Sequence, residues 1–183
     1  MVFNKNISDA VERAKKVKLV IFDIHGVLTT IDVIYDQDGR RQRIFCHDDL
    51  LGSNLLRFSG IEIAVITKKT SAQQRIDDMG IKRFYMIKDK IKKYEQLLQE
   101  LKLTDEEVCY VGDDLIDLLV MKRVGFAVTP ADGKKPAKEA AHYITEKAGG
   151  KGVVRELAEF IMEAQGKMDS FYKQLSTKGW PFP

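Results

Sequence analysis

Four polar side chains, far apart along the chain, could together carry out phosphoryl transfer. They are, in chain order, Asp23, Thr67, Lys90 and Asp113. A carboxylate can attack phosphorus, a hydroxyl and an ammonium group can hold phosphate oxygens, and two carboxylates can share a magnesium ion. Such catalysis consists mostly of positioning and charge neutralisation. Each residue also has a purely structural interpretation: an Asp that begins a turn, a Thr that caps a helix, or a lysine on a solvated face.

The elements that must position these side chains are buried strands. The run Leu19–Phe22 is continuously apolar, which predicts a strand buried on both faces, and Asp23 follows it at once. Similar runs at 61–66 and Val108–Val111 end just before Thr67 and the acidic cluster. Ligands of parallel α/β sheets bind at the carboxyl edge of the strands, where these residues would meet.

Strands alternate with helices over short connections, which predicts an α/β fold: a Rossmann-like parallel sheet with helices on both faces. Further strands are predicted at 83–87, 126–128 and 143–145, and helices at 6–17, 49–58, 71–79, 91–101, 115–123 and Val153–Ala164. Ser8 is a plausible N-cap of the first helix, and 104–107 has a capping-box pattern for one turn.

Two segments lie outside this alternation. Residues 31–45 contain two extended arms about a turn with Gly39, which predicts a β-hairpin flap and no cap domain. We therefore expect a single domain over 1–165 and a C-terminal tail over 166–183. The tail ends in an aromatic and proline-rich sequence that cannot be regular helix. Either it is disordered, or Trp180 and Phe182 pack on a neighbouring subunit near its site.

Composition narrows the class of protein. The 183 residues are 31% charged with a net charge of +3, which is the balance of a soluble domain without a basic face for nucleic acid. No apolar run approaches the roughly 20 residues of a membrane span. The N-terminal region has no apolar signal core. Cys46 and Cys109 have neither metal-ligand spacing nor the pattern of a disulfide framework, so we expect a reducing, cytoplasmic location. From the charge balance and the short apolar runs, we expect neither a membrane nor a nucleic-acid partner.

Several motifs resemble those of haloacid dehalogenase-like phosphohydrolases. The details resemble one small branch, the 3-deoxy-D-manno-octulosonate 8-phosphate phosphatases, over about residues 17–165. The motifs are DxxGVLT at 23–29, GIEIAVIT at 60–67, YVGDDLID at 110–117 and GGKGVVRE at 149–156. The resemblance implies an Mg²⁺-dependent sugar-phosphate phosphatase that forms an aspartyl-phosphate. It also implies a homotetramer in which the flap and tail of neighbouring subunits cover each site.

The resemblance also assigns roles to individual residues. The predicted catalytic residues are Asp23, His25, Thr67 and Lys90. The predicted substrate-binding residues are Lys68, His47, Asp49, Thr67 and Lys90. The predicted metal site consists of Asp23, the backbone carbonyl of His25, Asp113 and Asp114, with water as the remaining ligands of Mg²⁺. Asp114 and Asp117 also suit the orienting of waters and loops, and Asp114 suits a helix N-cap.

The chain departs from that branch at three places. His25 replaces the aspartate that acts as general acid and base, a role that histidine can also fill. Lys68 and Lys69 replace a Gly-Arg pair, and Asp48 replaces an arginine expected to contact a sugar carboxylate. Four outcomes stay open: a phosphatase with altered pH behaviour, a slow enzyme, a phosphatase for another sugar phosphate, or a silent oligomeric relative with a scaffold or regulatory role.

Overall fold

The computed structural model describes residues 6–68 and 72–182. Its centre is a parallel sheet of six strands in the order β5-β4-β1-β6-β7-β8, and a separate two-stranded hairpin joins β2 to β3. The predicted α/β fold is therefore confirmed. The strands are β1 Leu19–Phe22, β2 Ile34–Tyr35, β3 Arg41–Gln42, β4 Glu62–Thr67, β5 Arg83–Met86, β6 Val108–Val111, β7 Phe126–Thr129 and β8 Tyr143–Ile144. The helices are α1 Ile7–Ala14, α2 Asp48–Phe58, α3 Gln73–Asp78, α4 Lys90–Leu101, α5 Leu118–Met121, α6 Lys135–Ala140, α7 Val153–Ala164 and α8 Met168–Lys178.

Helices cover both faces of the sheet, which explains the continuous apolar runs. Successive side chains of a strand point to opposite faces. In β1, Val20 and Phe22 join a core formed with α1, α2, α3, α7 and α8. Leu19 and Ile21 join a second core formed with α4, α5 and α6. A strand between two cores carries mostly apolar side chains, so most of its polar groups lie at its ends.

Helices α2 and α7 meet at backbone distance. A Cβ atom on Gly52 would lie 2.5 Å from the backbone nitrogen of Arg155, so only glycine allows this approach. The close contact anchors the N-terminal end of α7 and the glycine-rich segment before it against the helix that follows the flap.

The flap is the predicted hairpin, and it extends away from the sheet. Tyr35 pairs with Arg41 in antiparallel register, and Gly39 adopts a positive φ of 73° in the turn. The Asp36 carboxylate accepts hydrogen bonds from the backbone nitrogens of Asp38 and Arg40, which closes the turn as an Asx motif. All four residues of β2 and β3 are exposed. Across residues 6–68 and 72–182, no helix is long and apolar enough to cross a bilayer.

The C-terminal tail contains a helix that the sequence analysis did not predict. In α8, Phe171 is buried and packs edge-on against Phe58, with ring centroids 5.0 Å apart. After the helix, Trp180 contacts Phe171, and Phe182 lies beneath the guanidinium of Arg57 at 5.1 Å. The tail therefore packs on its own domain and is not disordered, and the predicted contact with a neighbouring subunit stays a prediction.

Most predicted elements match the structure to within two residues, and the differences lie at their ends. Helix α1 is capped by Asn6, whose carboxamide oxygen accepts from the Asp9 nitrogen, and not by Ser8. The predicted helix at 115–123 is divided into a 3₁₀ turn, Leu115–Asp117, and the short helix α5. Helix α6 was not predicted. The predicted start of the helix at 71–79 lies outside the described residues.

Candidate active site

The ends of three adjacent strands bring the predicted residues together. Asp23 follows β1, Thr67 ends β4 and Asp113 follows β6, and in the sheet β1 lies between β4 and β6. All three side chains are buried. They surround a cavity of about 200 Å³ at the carboxyl edge of the sheet. The lining residues are Asp23, His25, Ile31, Thr67, Lys68, Asp113, Asp114 and Ile116.

Three carboxylates form a compact cluster beside the cavity. One oxygen from each of Asp23, Asp113 and Asp117 lies within 4.8 Å of the other two. The backbone leaves room for them: a Cβ atom on Gly26 would lie 2.1 Å from Asp113 Oδ2, and Gly26 has a φ of 82° that favours glycine. Hard oxygen donors at this spacing fit a magnesium ion, which needs few protein ligands and keeps several waters.

Lys90 is the cation at the centre of this cluster. Its Nζ atom lies 3.0 Å from Asp23 Oδ1 and 2.7 Å from Asp117 Oδ1, and it donates to the Tyr110 hydroxyl at 3.2 Å. The lysine opens helix α4, and Asp89 caps that helix by accepting from the Lys92 nitrogen. The sequence allowed a solvated basic face at this position. The structure instead buries the ammonium group between two carboxylates.

The electrostatics of the cluster reflect an excess of buried negative charge. Burial raises the pKa of Asp113 to about 7, and the charges of Asp117, Asp23 and Asp114 add to this effect. Burial also raises the pKa of Asp23, partly offset by Lys90. For Lys90, burial lowers the pKa, but the charges of Asp23 and Asp117 outweigh it and the net shift is upward. A divalent cation at the cluster would neutralise this excess charge.

Asp117, and not Asp114, completes the carboxylate cluster. The Asp114 carboxylate accepts from the Leu115 nitrogen at 2.7 Å and caps the 3₁₀ turn, as its helix-capping interpretation expected. Asp117 is fully buried by that turn. Its Oδ1 atom accepts from Lys90 and Tyr110, and its Oδ2 atom accepts from the backbone nitrogens of Asp113 and Asp114. Protein donors occupy both oxygens, so Asp117 is suited to holding Lys90.

The predicted substrate-binding residues do not all line the cavity. Lys68 is exposed and lines the cavity beside Thr67. His47 is exposed just before α2 and does not line the cavity. Asp48, the residue in place of the family arginine, is also exposed and outside the lining. Of these three residues, only Lys68 lines the cavity.

Asp49, which was predicted to bind substrate, lies at the N-terminal end of α7 and does not line the cavity. Its side chain is only 2% exposed, and Oδ1 accepts from the backbone nitrogen of Val154 at 2.9 Å. Asp49 therefore caps the N-terminal turn of α7, where a carboxylate interacts favourably with the helix dipole. Burial raises the pKa of Asp49 to about 6, although the hydrogen bond from Val154 opposes the shift.

The loop that carries His25 is braced by the glycine-rich segment before α7. The Gly150 nitrogen donates to the Val27 carbonyl at 2.8 Å. A Cβ atom on Gly149 would lie 2.1 Å from the Gly26 carbonyl oxygen, so the two backbones are in direct contact. His25 lines the cavity beside Asp23. The late GGKG motif thus helps to fix the position of the loop that follows Asp23.

Sequence reasoning gave little weight to two residues of this site. Asp117 lies four residues after Asp113, within an acidic cluster, and was expected only to orient waters and loops. Tyr110 lies inside an apolar strand and gives no polar signal in the sequence. Only the structure shows that its hydroxyl reaches the cluster.

Comparisons with known proteins identify the family to which the chain belongs. Residues 62–157 match the family model of haloacid dehalogenase-like hydrolases. The 3-deoxy-D-manno-octulosonate 8-phosphate phosphatase of Escherichia coli (strain K12) is 36% identical over 165 residues, which cover 88% of each chain.

Two solved structures are similar over most of their length. The Yersinia pestis 3-deoxy-D-manno-octulosonate 8-phosphate phosphatase has a TM-score of 0.84 and 35% identity, covering 88% of this chain and 89% of the other. The Moraxella catarrhalis enzyme of the same name, solved with magnesium, phosphate and KDO, has a TM-score of 0.88 and 32% identity, covering 93% and 99%.

Proposed function

The chain belongs to the haloacid dehalogenase-like hydrolases, as a phosphoric monoester hydrolase, and on that premise we propose that it is a magnesium-dependent sugar-phosphate phosphatase. The observation that carries the proposal is the meeting of Asp23, Asp113 and Lys90 beside one cavity. Thr67 lies on the lining of the same cavity. These are the groups that phosphoryl transfer to a carboxylate requires.

The proposed reaction has two steps on Asp23. First, a carboxylate oxygen of Asp23 attacks phosphorus, the bond from phosphorus to the sugar oxygen breaks, and His25 gives a proton to the departing alkoxide. Second, neutral His25 takes a proton from water, the resulting hydroxide attacks phosphorus, and the bond to Asp23 breaks to release inorganic phosphate. Thr67 and Lys90 hold the phosphoryl oxygens in both steps.

Asp23, Asp113 and the backbone carbonyl of His25 would hold the magnesium ion. When bound, the ion neutralises negative charge on the phosphoryl oxygens and on the carboxylates. The donor set is oxygen only, as Mg²⁺ prefers. Asp114 would remain outside the direct ligands because it caps the 3₁₀ turn.

For the substrate we propose 3-deoxy-D-manno-octulosonate 8-phosphate or a related acidic sugar phosphate, on the basis of the relatives named above. Lys68 supplies a positive charge at the cavity. Asp48, where the family has an arginine, adds a negative charge outside its lining and removes a cation that would pair with a sugar carboxylate. These two changes alter the charge of the surroundings in opposite directions.

Phosphate release from a panel of sugar phosphates tests the proposal, with Mg²⁺ and over pH 5 to 9. The wild-type protein should hydrolyse 3-deoxy-D-manno-octulosonate 8-phosphate or another acidic member. Asp23→Asn should be inactive because the amide is not a nucleophile. Asp169→Asn, an exposed change on α8, is the matched control and should keep full activity. A wild-type protein that hydrolyses no member of the panel would falsify the proposal.

A second candidate is a catalytically weak or silent oligomeric relative, and His25 is the observation that favours it. His25→Asp restores the family's acid and base and separates the two possibilities. If wild type is a competent enzyme, His25→Asp should change its pH–rate profile. If wild type is inactive and His25→Asp gains turnover, the scaffold or regulatory role is favoured.

We also propose a homotetramer in which the flaps of neighbouring subunits meet. The flap exposes several large apolar side chains, which are Ile31, Val33, Ile34, Tyr35 and Ile44. Exposed apolar side chains concentrated on one projection are typical of a protein interface. Light scattering should give the mass of four chains, and Ile34→Asp with Tyr35→Asp should give smaller species. A monomeric wild type would contradict the proposal.

A cytoplasmic location stays a prediction.

A further inference from the structure

Tyr110 is buried in the sheet, yet its hydroxyl lies within the polar cluster. The residue belongs to β6, and its side chain is 0% exposed. The ring packs in the core formed with α4, α5 and α6. A tyrosine that served only to fill this core would place no oxygen against a lysine and a carboxylate.

The hydroxyl makes two hydrogen bonds with opposite roles. It donates to Asp117 Oδ1 at 2.6 Å and accepts from Lys90 Nζ at 3.2 Å. Lys90 Nζ is also 2.7 Å from Asp117 Oδ1 and 3.0 Å from Asp23 Oδ1. Lys90 thus donates hydrogen bonds to Tyr110 and Asp117, and its contact with Asp23 Oδ1 is an ion pair without hydrogen-bond alignment. Tyr110 and Asp117 thereby fix the direction in which Lys90 meets Asp23.

Fixing that direction matters because a lysine side chain is flexible. Its ammonium is a point charge on a four-carbon stem, with none of the geometric preference of a guanidinium. In the proposed reaction negative charge moves from Asp23 to the phosphoryl oxygens. Lys90 must therefore lie close to both positions. Electrostatic catalysis depends on donors that are already in place when the charge develops.

We propose that Tyr110 is a positioning residue that holds Lys90, through Asp117 and directly, against the carboxylate of Asp23 on which the proposed reaction takes place. This inference rests on the proposed function for its catalytic consequence. The positioning itself is a property of the protein without substrate, and it can be measured separately.

Tyr110→Phe tests the role, because it removes one oxygen and keeps the ring. Tyr94→Phe is a matched control: Tyr94 is also 0% exposed, lies in the same core and donates to a carboxylate, that of Asp105, away from the cavity. Both variants should lose comparable stability. Only Tyr110→Phe should lower kcat, by about tenfold, the usual effect of one buried hydrogen bond. KM should change less than about threefold because Lys90 is retained.

A second measurement does not depend on activity. In ¹⁵N-labelled protein, a buried and hydrogen-bonded ammonium exchanges its protons slowly enough to give its own resonance. Lys90 should give such a signal in wild type and in Tyr94→Phe, and the signal should broaden or vanish in Tyr110→Phe. Lys90→Arg assigns the resonance by removing it.

The outcomes distinguish this inference from the proposed function. A kcat for Tyr110→Phe within twofold of wild type, or an unchanged Lys90 signal, overturns the role of Tyr110. An equal loss of kcat in Tyr94→Phe overturns it as well, because a general weakening of the core would then explain both. A wild type without phosphatase activity overturns the proposed function, and the Lys90 signal then decides the positioning alone.

Discussion

Replacing Asp49 by asparagine separates a structural role from a role in substrate binding. Burial raises the pKa of Asp49 from 3.8 to about 6. Between these two pH values the folded protein therefore holds a proton that the unfolded chain has released. The stability contribution of this group thus falls as pH rises through that window and is constant above it. At about 1.4 kcal/mol per pKa unit, the whole change is about 3 kcal/mol.

Asp49→Asn cannot ionise, and it keeps an oxygen that can accept from the Val154 nitrogen. Relative to wild type, the variant should therefore gain about 2.4 kcal/mol of unfolding free energy between pH 4 and pH 7, the part of the change that lies above pH 4. Urea unfolding at half-unit pH intervals measures the difference, in which the titrations common to both proteins cancel. Asp48→Asn, at the exposed neighbouring position, is the control and should shift stability by no more than about 0.5 kcal/mol at any pH.

A difference between Asp49→Asn and wild type that stays constant from pH 4 to pH 7 would refute the reasoning. Activity supplies the second half of the test. Because the Asp49 side chain caps α7 and does not line the cavity, KM for the sugar phosphate should remain within about twofold of wild type. A large rise in KM at unchanged stability would restore the substrate-binding interpretation.

Three further predictions follow from close contacts and charge. Gly26→Ala places a Cβ atom 2.1 Å from Asp113 Oδ2, so calorimetry should show Mg²⁺ binding weakened at least about tenfold, whereas Gly39→Ala, with open space around it, should bind normally. Since the pKa of Asp113 is about 7, Mg²⁺ must displace a proton below that pH, and its dissociation constant should fall up to about tenfold per pH unit between pH 5 and 7. Equal affinities at pH 5.5 and 7.5 would contradict this. Gly52→Ala places a Cβ atom against the Arg155 backbone and forces α2 away from α7. The variant should therefore lower the unfolding free energy, measured in urea, by about 1–3 kcal/mol. An unchanged unfolding free energy would contradict the close contact between the two helices.

The sheet was predictable from the sequence because burial on both faces leaves an unambiguous pattern. The apolar run before Asp23 could only be a strand between two cores, and the same holds for the run before Asp113. Once the strands are parallel, their carboxyl ends meet, so the location of the site follows from topology. The role of Lys90 was harder to predict, because several lysines lie near it in the sequence. Only the register of α4 decides which of them is buried at the carboxylate cluster.

Other features depend on geometry that one sequence does not contain. Asp114 and Asp117 are both acidic, and the choice between them is made by a 3₁₀ turn that buries one and leaves the other at its N-cap. Asp49 was expected near substrate because of its motif, but packing of α2 against α7 carries it to a helix terminus. The fold of the tail depends on the packing of Phe171 against Phe58, and these residues are more than a hundred positions apart in the sequence.

The contact between Gly26 and Gly149 has a consequence for the order in which the protein matures on the ribosome. The loop that follows Asp23 is made early, but the backbone that braces it, at Gly149 and Gly150, is made when only the last two helices remain to be synthesised. Nascent chains that end before this segment carry Asp23 without its support. We therefore expect hydrolytic competence to arise near the end of translation, because a chain that stops before Gly149 lacks the backbone that braces the loop after Asp23.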